Sequence, residues 1–194
     1  MSEFVLYFQL GLDHILDTNG YDHILFVLAL CTVYQLRDWR KVLILVTAFT
    51  IGHSVTLALS TFNLVQFNSE LIEFLIPVTI LVTAVANLFK KQYSLNTRKI
   101  QINYLFALLF GLIHGLGFSN YLKSLLGRNT SVVQQLLAFN LGIEAGQIII
   151  VGIILTISFI LVNLFNVDRR DWNLVSSSAI AGIALTMVLE AKYW

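Results

Sequence analysis

The chain has 194 residues, with twelve Lys and Arg against eleven Asp and Glu and a formal net charge of +1. Hydrophobic residues make up 57% of it and charged residues 12%, about half the charged share of a soluble domain. With a mean hydropathy of +0.79, an ordinary soluble globule is excluded, and no basic run is long enough to bind nucleic acid. The lone Cys31 excludes a disulfide framework. Apolar windows of about twenty residues indicate an all-α, polytopic membrane bundle, because a helix satisfies its own backbone in lipid. The short alternating segments of a β-barrel are not seen.

In chain order, the opening MSEFVLYFQLGLDH lacks a basic leading region and is interrupted by Gln9, so it does not read as a cleavable signal peptide. Residues 3–12 are too short to span and are expected at the interface or folded back into the bundle as a re-entrant segment. Hydropathy then predicts about six transmembrane spans, 21–36, 41–62, 70–89, 101–126, 133–165 and 173–190. Pro77 is expected to kink the third. Gly111 and Gly115 form a GxxxG pair in the fourth, which predicts close helix packing. The fifth is too long for a perpendicular crossing, and Gly142 and Gly146 are its expected weak points. Without a linker or low-complexity tract, residues 1–194 read as a single transmembrane domain.

Loop charge sets the expected orientation. Arg37, Arg40 and Lys41 follow the first span, Lys90, Lys91, Arg98 and Lys99 the third, and Arg169 and Arg170 the fifth. Only Lys123, Arg128 and Lys192 fall on the other side. The positive-inside rule makes the basic side cytoplasmic and both termini extracytoplasmic.

Ionisable residues at membrane depth are costly and mark functional sites. His53 lies roughly 18 Å from the cytoplasmic edge and His114 roughly 20 Å, at 1.5 Å per residue from Lys41 and Gln101. Glu144 reaches a comparable level in the fifth span, and Asn140, Glu144 and Gln147 share one helical face. The stretch HILDTNGYDHILF, residues 14–26, adds His14, Asp17, Asp22 and His23 at the outer mouth of the first span. All four histidines of the chain are thereby aimed at the outer half of the bundle. Thr47, Thr50 and Ser54 surround His53 and either line a polar path or serve as ordinary interhelical donors. Any one intramembrane histidine can be a structural group bonded to a carbonyl, but their convergence points to a metal site. Imidazole with carboxylate suits nickel, cobalt or zinc, and the scarcity of cysteine and methionine argues against copper(I).

The four ordered motifs HILDTNGYDHILF, TAFTIGHSVTLAL, FGLIHGLGF and FNLGIEAGQ resemble the HupE/UreJ family of bacterial membrane proteins, from about Gly11 to the fifth span. That family is associated with hydrogenase and urease gene clusters and regarded as nickel or cobalt permeases. The resemblance therefore implies an integral protein of the bacterial cytoplasmic (inner) membrane. The first motif also looks like the His-x4-Asp-His signature of wider nickel/cobalt transporters. Here His14 and Asp22 stand two residues further apart than is usual in the family, with the extra residues in the DTNG turn.

The permease expectation has a divalent ion, nickel or cobalt, captured by His23 and Asp22 with His14 assisting. It then passes to His53, His114 and Glu144, with Asn140, Gln147, Thr50 and Asp17 as supporting polar groups. No GxxxxGK[ST] motif is present, so the ion gradient, the membrane potential or intracellular trapping would drive uptake. The rival is a zinc-dependent intramembrane hydrolase, with zinc as cofactor on the histidines and Glu144 as general base. A metal-binding subunit without transport activity is the third reading. The expected partners are the metal ion and the lipid bilayer, without nucleic acid, and a homo-oligomer is compatible with a bundle of this size. A permease needs polar steps through both leaflets, whereas an enzyme needs one tight cluster.

Overall fold

The computed structural model describes residues 2–18, 20–89, 97–125, 132–191 and 193, with 97–100 as backbone. Lys90, Lys91, Arg128 and Lys192, and the side chains of Arg98 and Lys99, lie outside the described residues. Eight α-helices follow in order: α1 (Glu3–Leu16), α2 (Asp22–Cys31), α3 (Trp39–Thr61), α4 (Ser69–Leu88), α5 (Thr97–Gly117), α6 (Ser119–Leu125), α7 (Val132–Phe159) and α8 (Arg169–Glu190). A 3-10 turn, Leu36–Asp38, leads into α3, and α7 runs on into a π-helical turn, Ile160–Leu164. Side-chain caps fix several starts. Ser2 Oγ accepts from the Val5 amide, Asn68 Oδ1 from those of Glu70 and Leu71, and Asp168 Oδ1 from that of Arg170.

Four helices are long and apolar enough to cross a membrane, and a fifth span is formed if the bent pair α5 and α6, 47° apart, is counted as one. The expected spans over 41–62, 70–89, 133–165 and 173–190 are these continuous helices. The predicted 101–126 span is not straight, because it bends between Gly117 and Ser119.

The first predicted span, 21–36, is corrected more sharply. Its helix has ten residues, about 15 Å, half of a ~30 Å hydrocarbon core. It stops where the Thr32 hydroxyl donates to the Ala29 carbonyl and Asn87 Nδ2, from α4, reaches the same carbonyl at 2.7 Å. Helix α1 takes the second of its two expected places, folded back into the bundle. It packs along α7, where a Cβ on Gly11 would run into the Phe139 carbonyl and one on Gly142 into that of Phe8. Gly142 and Gly146 are therefore the seat of α1 and not weak points, and α7 continues through both. Similarly, α4 runs through Pro77 as one helix.

Helices α3 and α5 meet backbone to backbone. Gly111 lies against the Phe49 carbonyl, Gly115 against that of His53, and Gly52 against that of Leu108. The GxxxG expectation is borne out, and small residues are what allow such an approach in lipid. On the outside of α7, Ile148, Ile149, Ile153 and Ile157 are exposed, an apolar row that fits lipid and not water.

The bundle has two distinct ends. One gathers the end of α2, the end of α4 and the starts of α3, α5 and α8. There Asn173 Nδ2 donates to the Asn87 carbonyl and Asn103 Nδ2 to the Tyr34 hydroxyl. Arg37, Arg40, Lys41, Arg169 and Arg170 sit at this basic end. At the opposite end Lys123 Nζ donates to Asn63 Oδ1, Asn120 Nδ2 donates to Ser69 Oγ, and Phe74 stacks on Tyr193. Tyr7, in α1, joins that end by donating to the Leu125 carbonyl at 3.3 Å. Helices α1 and α2 thus reach between them from one end to the other, α1 ending at Leu16 and α2 starting at Asp22.

Candidate metal centre

The interruption between α1 and α2 is where the histidines gather. His14 comes from the last turn of α1, and Asp22 and His23 from the first turn of α2. His53 stands on the middle stretch of α3 and His114 on the last turn of α5. An acidic first turn suits the positive end of α2, and Asp22 Oδ1 accepts from the His23 backbone amide at 2.9 Å.

The ring centroids of His14 and His23 are 4.6 Å apart, and those of His23 and His114 are 5.5 Å apart. His53 is 6.0 Å from His23 and 6.2 Å from His14. Two imidazoles on one ion, with metal–nitrogen bonds of about 2.0–2.1 Å and a tetrahedral angle, would have centroids about 5 Å apart. The rings are thus at ligand-sharing separations. They do not form a ready-made coordination set, since among the described residues no three His, Cys, Asp or Glu side chains are disposed to hold an ion. Side-chain rotation has to close the shell.

The environment makes these nitrogens costly to leave alone. His53 is 0% exposed, His114 1% and His23 4%. His14 Nε2, both ring nitrogens of His23 and of His53, and His114 Nε2 are buried without a hydrogen-bond partner. His23 Nδ1 is 3.1 Å from Asp22 Oδ1, in ion-pair range but without hydrogen-bond alignment. Each buried unpaired group costs about 1–3 kcal/mol, a cost that an electrophile bound to their lone pairs would remove. His114 is oriented for one. Its Nδ1 lies 2.9 Å from the Phe110 carbonyl and must carry the proton there, which leaves the lone pair on Nε2.

Aromatic rings pack around the cluster. Phe118 lies 3.9 Å from His14 and stacks on Phe139, while Phe26 and Phe49 flank His114 at 5.2 and 5.1 Å. Towards the α6 end a cavity of about 500 Å³ reaches the surface, lined by Asp13, His14, Asp17, Phe118 and Tyr121 among others.

Of the residues expected at the site, Glu144 stands apart. Thr47 Oγ1 donates to its Oε1 at 2.5 Å, and Thr47 is six residues before His53, about 9 Å along α3. Gln147 is buried, and its Oε1 accepts from Thr50 Oγ1 at 2.7 Å. Asn140 Nδ2 and Ser54 Oγ both donate within their own helices, to Leu136 and Thr50. The carboxylate beside the histidines is Asp22, and Asp17 lines the outer cavity. Asp13 and Phe118 were not singled out from sequence. Both carried a signal, Asp13 as the neighbour of His14 and Phe118 as the last residue of the FGLIHGLGF motif.

Apolar helices that close around buried imidazoles are those of an integral membrane protein, all-α throughout the described residues. The chain belongs to the HupE/UreJ family, since the family model described as HupE / UreJ protein matches residues 1–194. Membership implies a function related to nickel or cobalt transport. No curated protein and no solved structure matches the chain.

Proposed function

We propose that the protein is a permease for a divalent transition-metal ion, nickel or cobalt, in the bacterial inner membrane. His23, His53 and His114 are its capture ligands, with Asp22 and His14 completing the set. The observation that carries the reading is the meeting of imidazoles from α1, α2, α3 and α5, with buried nitrogens that have no hydrogen-bond partner. Family membership supports the choice of metal. With the basic end in the cytoplasm by the positive-inside rule, both termini are extracytoplasmic and the 500 Å³ cavity is the entrance. Asp13 and Asp17 draw a hydrated cation into it, and the ion sheds water as it exchanges onto imidazole nitrogen. A half-helix break beside the substrate site suits this role, because helix ends at membrane depth are how many transporters build their sites.

The hydrolase alternative lacks such support. Its general base, Glu144, is held by Thr47 and not at the histidines. Nickel uptake into proteoliposomes tests the proposal. Wild-type protein is expected to carry nickel well above empty vesicles, and His53→Ala and His114→Ala to reduce that flux at least tenfold. Stoichiometric binding without flux in the wild type overturns it.

A further inference from the structure

A second cavity lies at the basic end of the bundle. Its volume is about 190 Å³, many times the ~10–15 Å³ that a single water needs. Its polar lining is Tyr34, from the loop after α2, Thr83 and Asn87 on α4, and Asn103 on α5. All four are neutral. Asn87 is 1% exposed, and its Nδ2 is committed to the Ala29 carbonyl and the Thr32 hydroxyl. The side-chain oxygen is the atom it has left to offer.

Between this cavity and the histidines stand three phenylalanines. Phe26 and Phe49 are 4.9 Å apart and both buried, and Phe110 is 5.9 Å from Phe26. Phe26 and Phe49 touch His114 on one side, while Phe110 lines the lower cavity on the other. Phe26 also shares a face of α2 with His23, three residues earlier. A rotation of that ten-residue helix which draws His23 onto an ion therefore moves the Phe26 ring as well.

We infer that Phe26, Phe49 and Phe110 are the inner gate of the metal path, and that the cavity beneath them is the vestibule where the ion regains water before leaving. This rests on the permease reading and supplies the inner half of the route. Donor chemistry gives the path its direction of release. Imidazole nitrogen holds nickel or cobalt far better than neutral amide and hydroxyl oxygen do, so an ion that passes the rings meets only weak, exchangeable ligands. A carboxylate at Asn87 or Asn103 would trap it instead.

Two measurements on the full chain test the gate and the vestibule. The first needs no transport. In a Cys31→Ser background, Asn103→Cys is exposed in proteoliposomes to a small cationic methanethiosulfonate applied from the α6 end. Reaction is expected to be slow, and at least tenfold faster when Phe110→Ala is added, with Phe26→Leu as a second, volume-sparing opening. Equal rates with and without these changes overturn the gate. The second uses nickel as the probe with Thr83→Val/Asn103→Leu. Equilibrium nickel binding is expected to stay within twofold of wild type while uptake falls at least fivefold. Uptake unchanged within twofold overturns the vestibule. If the wild type carries no nickel, the permease reading fails by itself, and the labelling rates still decide whether the rings close the path.

Discussion

The histidine cluster has two unlike walls. Helices α3 and α5, which carry His53 and His114, are long and locked backbone to backbone at Gly52, Gly111 and Gly115, and His114, although on the last turn of α5, stands between two of these locked glycines. Helices α1 and α2, which carry His14 and His23, are short, and these histidines stand at the ends that face the break. A ligand on the glycine-locked wall moves only if the whole helix pair moves. A ligand at the end of a half-helix can shift with its last turn. The pairing suggests a fixed anchor facing an adjustable clasp, which fits a site that is not closed into a coordination shell.

The largest expected effect comes from breaking the fixed wall. A Cβ on Gly115 would strike the His53 carbonyl and Thr56 Oγ1, so Gly115→Val should destabilise the protein by about 3 kcal/mol or more. Its thermal unfolding in detergent should drop well below that of wild type, and an unchanged midpoint would show that the two helices have room to part. Next in size is the contrast between the walls. Removing one ligand nitrogen by His53→Ala or His114→Ala should weaken nickel binding at least tenfold by titration calorimetry, about 1.4 kcal/mol. His14→Ala, taken from the adjustable wall, where the ring also leans on Phe118, should cost two- to fivefold. Equal losses at all three positions would erase the distinction. The smallest effect is expected from Thr47→Val. It strips the hydroxyl from Glu144 at a cost of about 1 kcal/mol in stability and should leave nickel affinity within twofold. A tenfold loss there would place Glu144 back among the ligands.

Much of this was legible in the residues, for reasons that can be named. Depth along a helix is fixed by rise per residue, so counting from Lys41 and Gln101 was enough to bring His53 and His114 to one level. Depth does not name neighbours, however. Glu144 sits with Thr47 because α7 presents it to α3 at that turn, a contact that no count along α7 contains. The end of α2 was hidden for a related reason. Between His23 and Gln35 only Thr32 and Tyr34 interrupt the apolar run, and what ends the helix at Cys31 includes a bond from Asn87, far along the chain. Gly142 and Gly146 were misjudged because glycine weakens an isolated helix, while in lipid the same lack of a side chain is what admits α1.

Asn87 bears on how the protein is made. Its side chain closes the end of α2, and its carbonyl receives Asn173 at the start of α8. Helix α1 in turn finds its seat only on α7. Helix α2 therefore waits for a partner 58 residues further along and α1 for one more than a hundred residues later, and contacts so distant in sequence form late. Helix α1, at 14 residues too short to span the core by itself, must be sheltered during synthesis until α7 arrives. The histidine cluster, built in part on the end of α1, is accordingly among the last features of the molecule to exist.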